Sequence, residues 1–317
     1  MSLEPDAREV NSRLPHDIER TIFETAIFMH PTCAPSLLQT ARRVQSWIEP
    51  LVFKTLVLSG RNVDAHLWAA LFTKPPAFFA QHTRHVFVGK GLPDDDVQLV
   101  VSRCAAAESF VFEAKWRPTT FPDIWRLPQL QRLTLSFRLV RIAAVPGPGS
   151  GPAILPNLTH LTLYPAHQTD AESTGRYLAF LAALPRLTHL CVCMVQDEGF
   201  LHHILNQCPR LQVLLHVFDA GMYTREDYIR DMAALHDPRC VLLDLTRHYL
   251  DWTEWALQDW RLAAAGGVEL LARAARFVAG KNGSPEGRLE FLWEDPHRPP
   301  EDSDALPVGE SVDGASV

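Results

Sequence analysis

The chain has no uninterrupted apolar run of 18 residues, so no membrane-spanning helix is expected. Its opening, MSLEPDAREVNSRLPHDIER, lacks the apolar stretch of a secretory signal, which points to a soluble intracellular protein, cytoplasmic or nuclear. No two of its six cysteines form a CxxC pair, so neither a disulfide framework nor a structural zinc site is expected. Basic charge is not in surplus over the chain as a whole. The net charge of −7 lies wholly in residues 282–317, where nine acidic residues face two arginines, while residues 1–281 carry 28 charges of each sign. A neutral body with an acidic tail lacks the footprint of a nucleic-acid binder. The tail is rich in Pro, Gly and Ser and reads as disordered, and residues 1–12 read as a flexible N-terminus.

Catalytic motifs are missing too. GPGSG, within Pro146–Pro152, is not a nucleophile elbow, because no apolar strand leads into Ser150 and no helix follows it. AGKNGS at Ala279–Ser284 lacks the upstream glycine of a phosphate loop and reads as the end of a helix. No paired carboxylates stand out. A non-catalytic chain without a cofactor is the expectation.

What the chain does have is a phrase said repeatedly: LPQLQRLTLSF at Leu127–Phe137, LPNLTHLTLYP at Leu155–Pro165 and LPRLTHLCVCM at Leu184–Met194. Each places apolar residues at the first position and three, six and eight residues on. Degenerate copies begin at Pro50, Ala80, Cys104, Cys208 and Asp237, so the phrase recurs every 23–30 residues. In the Cys208 copy His216 falls on an apolar slot, and a one-residue slip would turn Val213, Leu215 and Val217 inward instead. In the Asp237 copy the inward residues are Cys240, Leu243 and Leu245. The period matches leucine-rich repeats. Apolar stripes between the phrases read as helices, with caps at Thr169–Glu172 and Thr224–Asp227 and a stripe over Phe200, Leu201, Ile204 and Leu205. The unit holding Pro146–Pro152 has a loop in place of its helix. A strand and helix over and over make an α/β protein, a leucine-rich-repeat-like right-handed βα solenoid, or horseshoe, over residues 50–250. Its leucines form a core that no unit can bury alone.

A solenoid needs ends that hide that core. Residues 251–281 read as a C-terminal capping helical segment, broken in two at Gly266-Gly267. Residues 13–49 form a different, N-terminal helical unit: Pro15 opens a helix bearing Ile18, Ile22 and Ala26, and Pro35 opens a second bearing Leu38, Ala41, Val44, Trp47 and Ile48.

This unit resembles the F-box, with its Leu-Pro opener, an Ile-Phe pair in the first helix, and Val44-x-x-Trp47 near its close. The whole chain resembles fungal F-box-like proteins that continue into leucine-rich repeats. The resemblance implies that the unit docks a Skp-type adaptor of a cullin–RING (SCF-type) ubiquitin ligase through Leu14, Pro15, Ile18, Ile22, Leu38, Val44 and Trp47. The repeats would then hold a protein substrate of unknown identity. The alternative is a scaffold whose head only caps the first repeat, with no ubiquitin role.

The phrase also places Arg132, His160 and His189 side by side on the concave wall, followed by a row of Thr134, Thr162 and Cys191 and a row of Ser136, Tyr164 and Cys193. Arg132, His160, Tyr164, His189 and Cys191 are the candidate partner-binding patch; the same residues also fit repeat drift on a solvated face. A metal reading of His160, His189, Cys191 and Cys193 lacks a spacing motif and an acidic second shell. His82–His85 reads as a turn, and His202-His203 as a solvated helix face.

Overall fold

The repeated phrases fold as short strands that lie parallel in one sheet. The computed structural model describes residues 14–59, 65–113, 123–142, 154–164, 171–193, 198–218, 235, 237–244, 252–281 and 290–291. Among the described residues nine strands follow one another in chain order: β1 (Thr55–Leu58), β2 (His85–Val88), β3 (Ser109–Phe112), β4 (Arg132–Ser136), β5 (His160–Tyr164), β6 (His189–Cys193), β7 (Val213–Phe218), β8 (Cys240–Asp244) and β9 (Glu290–Phe291). Every neighbouring pair is parallel, which gives a solenoid-like α/β architecture. One hydrogen-bond device repeats along the sheet. The carbonyl oxygens of Lys54, Arg84, Glu108, Gln131, Thr159 and Thr188, each just before a strand, accept two successive N–H groups from the next unit at 2.8–3.2 Å. This satisfies the backbone at each strand entry and fixes the register.

Alternation along the strands makes two faces. On the back face Leu56, Val86, Phe110, Leu133, Leu161, Leu190 and Leu214 lie in register and are buried. Six helices cover them: α4 (Ala65–Thr73), α5 (Pro76–His82), α6 (Asp94–Arg103), α7 (Phe137–Ile142), α8 (Ala171–Ala182) and α9 (Glu198–Gln207). Leu133, Leu161 and Leu190 occupy the equivalent inward places that the sequence pattern assigns them. The predicted loop unit carries a short helix after all, since α7 follows β4 directly. Pro146–Pro152, Thr169 and Asp170 of the first predicted cap, the second cap Thr224–Asp227 and Leu245 lie outside the described residues, and α8 begins at Ala171.

Two strands depart from expectation. β7 does not slip: Leu214 and His216 stay on the back face, and Val213, Leu215 and Val217 face front. In β8 Cys240 aligns with Leu214 and Leu242 with His216, so Leu243 points to the front rather than into the spine. Both strands are apolar on both faces, so either register buries hydrophobic side chains and alternation cannot choose. Beyond them β9, in the tail expected to be disordered, pairs with Leu242 and Leu243 and covers what would be an open edge.

The head comprises α1 (His16–Met29), a single 3-10 turn, α2 (Ala34–Leu38) and α3 (Arg42–Val52). The predicted second helix is thus two, parted where Ala41 is extended (φ −161°). Ile27, Val44, Trp47 and Ile48 form a core of its own, separate from the spine. Arg43 and Glu19 pair at 2.7 Å between α3 and α1.

The C-terminal segment is a helix pair, α10 (Trp252–Ala264) and α11 (Leu270–Lys281), divided at Gly266, whose φ of 89° suits glycine. It does not cap the end of the sheet. Trp260 lies against Phe87 and Val111 of β2 and β3, and Leu270, Leu271 and Ala274 lie against β5–β8. The pair runs across the front face, because that face carries apolar side chains at both ends which need cover.

Candidate functional site

Two surfaces hold the residues that sequence reasoning singled out. The first is the outer side of α1. At 100° per residue Ile18, Ile22 and Met29 fall within one narrow stripe of α1, with Leu14 just before its start, while Phe23 and Ile27 fall on the opposite side. The inner side meets the head core, where His16 lies edge-on to Trp47 at 4.7 Å. The outer side is exposed: Ile18, Ile22 and Met29 are 46%, 50% and 64% exposed, and Leu14 before them is 47% exposed. Pro15 is exposed beside them.

The seven adaptor-facing candidates therefore divide. Leu14, Pro15, Ile18 and Ile22 share the exposed stripe. Val44 and Trp47 are 1% and 9% exposed and build the head core, with Leu38 partly buried against them, so these three face inward. The missed members are Met29 and its exposed neighbour Phe28. Met29 was within reach, seven residues from Ile22 on the same face.

The second surface is the front face. Arg132, His160 and His189 are adjacent in register, as predicted. The row extends further than predicted, running Thr55, His85, Ser109, Arg132, His160, His189 across six strands. The rings of His160 and His189 stack at 4.3 Å and 6°. Each accepts or donates at Nδ1 with the hydroxyl of the threonine before it, Thr159 or Thr188, at 2.8 Å.

This patch is largely covered, with Arg132 its most open member at 41% side-chain exposure. Tyr164 and Cys191 are buried, and the helix pair lies over the row. Glu269 Oε1 sits 3.2 Å from Arg132 Nε and 3.5 Å from His160 Nε2. The Trp260 indole N–H donates to Ser109 Oγ at 2.9 Å. Asp259 accepts from the Leu270 N–H and pairs with Arg273 at 2.7 Å, pinning α10 to α11. A cavity of about 60 Å³ remains between cover and sheet, lined by His85, Arg132, His160, Tyr164, Asp259 and Glu269 among others.

Burial governs the charges here. It is the main cause that lowers His85 to about 4, with Lys54, Arg132 and Arg84 adding repulsion. It likewise lowers His160 to about 3, aided by His189 and Arg132, and lowers His189. The same desolvation raises Glu269 and Asp259, against the pull of nearby arginines. The seam is thus a set of neutral imidazoles and reluctant carboxylates beside two arginines, Arg132 and Arg273. Cys191 and Cys193 stand with sulfurs 4.0 Å apart, and burial holds the Cys193 thiol well above its ordinary range. Among the described residues no three His, Cys, Asp or Glu side chains are arranged to hold a metal ion, and no helix is long and apolar enough to cross a membrane. His202 and His203 are exposed on α9.

No family model matches the chain, and neither does any curated protein or solved structure compared with it.

Proposed function

We propose that this chain is an F-box-like, substrate-recruiting subunit of an SCF-type ubiquitin ligase. Its head docks a Skp-type adaptor, its leucine-rich-repeat body holds a protein substrate, and it contributes no active site of its own. The observation that carries this reading is that α1 has two apolar sides and the head buries only one of them. Full burial of a Leu, Ile or Met is worth roughly 1.5–3 kcal/mol, so covering four half-exposed side chains yields about 3–6 kcal/mol. That anchors an interface on paired helices without requiring the head to refold.

A second reading, a head that only caps the first repeat, has an observation of its own. Phe53, just after α3, packs edge-on against Phe78 and Phe79 of α5, and Glu49 pairs with Lys74 at 2.7 Å. Those contacts fasten the head to the spine through the end of α3. They leave the α1 stripe uncovered, so capping does not account for it.

The test is co-precipitation of a purified Skp-type adaptor with the full chain and with an Ile18→Asp/Ile22→Asp variant. The wild type should retain the adaptor. The variant should lose it at an unchanged urea midpoint, since both positions are half exposed. An adaptor that ignores the wild type, or binds the variant equally well, overturns the reading.

A further inference from the structure

The solenoid spine closes without its C-terminal helices. The contiguous apolar cluster of the back face, from Leu56 to Leu242, takes none of the described side chains of α10 or α11. Among the described residues the helix pair packs on the front face, and its fit there is uneven. Among the described side chains of α10, residues 256–264, only Trp260 is buried. Between that indole and the leucines of α11 lie the Glu269 seam and the cavity. The Arg132 side chain stays 41% exposed in its pair with Glu269, so that pair adds little net stability, and voids forfeit contacts. The pair therefore behaves as a guest on a surface that folds without it. Stripped of the guest, that surface would bare Val213, Leu215, Val217, Val241 and Leu243, more than water tolerates. A segment that displaces the pair must therefore cover the same side chains.

We propose that the front face is a binding surface for a helical partner segment bearing an indole and a carboxylate, and that α10–α11 is its built-in competitor. Ser109 Oγ would take the indole N–H, with Phe87 and Val111 against the ring. Arg132 and His160 would take the carboxylate, and the apolar end would take a pair of leucines. Under the ubiquitin reading this partner is the substrate, and only that label rests on the reading; the competition needs no head and no adaptor.

The probe is a fluorescein-labelled peptide of residues 252–281, titrated into the full chain without adaptor and followed by anisotropy. A Trp260→Ala/Glu269→Gln chain, whose own guest is weakened, should bind the probe about tenfold more tightly than wild type, because more of its wall is free. Adding Arg132→Glu should abolish that gain. Hydrogen exchange on the unaltered chain decides the matter even if a variant misfolds. Amides of α10 and α11 should exchange at least about tenfold faster than those of β4–β6, which open only with the spine. Exchange of the helix pair in step with β4–β6, or equal probe binding by wild type and weakened-guest chains, overturns the proposal. Loss of the adaptor with probe competition intact would overturn the ubiquitin reading alone.

Discussion

Lowering the pH from about 7.5 to about 5 should cost the fold roughly 4 kcal/mol through two buried histidines. His85 is 8% exposed and the His160 side chain 19%, so neither charge would be well solvated. Burial holds them neutral down to about 4 and about 3. In the unfolded chain both imidazoles take up a proton near their ordinary value of about 6.5. Below that value the unfolded state binds protons that the folded state refuses, so stability is full above it and drains away as the pH falls toward the folded values. Descending about 1.5 units below the unfolded value costs about 2 kcal/mol for each group at 1.36 kcal/mol per unit. His189 is lowered as well and adds in the same direction. Glu269 and Asp259 act oppositely: their raised values favour the folded state as the pH falls. The measurement is therefore a difference. Urea midpoints of wild type and a His85→Gln/His160→Gln chain are compared across this range, and the wild type should lose roughly 4 kcal/mol more. Parallel loss in the two chains would refute the claim that burial keeps these imidazoles neutral.

Leu161→Ala, at a fully buried place flanked by Leu133 and Leu190, should cost about 2–5 kcal/mol in denaturant unfolding. Gly89→Ala should cost about 1–3 kcal/mol by the same assay, because a Cβ there would lie 2.8 Å from the Ser59 Cα. Trp47→Ala should cost the head about 3–5 kcal/mol and strip hydrogen-exchange protection from α1 while β4–β6 keep theirs, as the head has a separate core. Ile22→Ala should stay within about 0.5 kcal/mol of wild-type stability.

The middle of the sheet was legible in the sequence because its strands alternate. In β4 and β5 apolar residues face back and Arg132, Thr134, His160 and Thr162 face front, so spacing alone fixes both register and side. The last repeats resisted for the opposite reason. VLLHVF and CVLLD are apolar at nearly every position, so a frame begun at Asp237 satisfied the pattern while placing Leu243 on the wrong side. In the head, periodicity found the helices but could not tell an outward apolar stripe from an inward one. Val44 and Trp47 belong to the core, and Ile18 and Ile22, equally apolar, do not.

Those same continuous runs carried a signal about the helix pair. A strand apolar on both faces is buried on both faces, so something had to lie in front of β7 and β8. A capping helix and a covering helix show the same one-sided stripe, and the stripe does not say which surface it meets. The front face does. It is apolar at β1–β3 (Val57, Phe87, Val111), polar along the row through Ser109, Arg132 and His160, and apolar again through β6–β8. The helix pair answers in the same order: Leu257 and Trp260, then Glu269 amid the polar row, then Leu270, Leu271 and Ala274. An end cap would have no reason to set a carboxylate between two apolar stretches, since the open end of a spine is apolar throughout. The match of polarity between sheet and helix pair is what seats the pair on the front face, and Glu269 is the residue whose replacement should loosen it first.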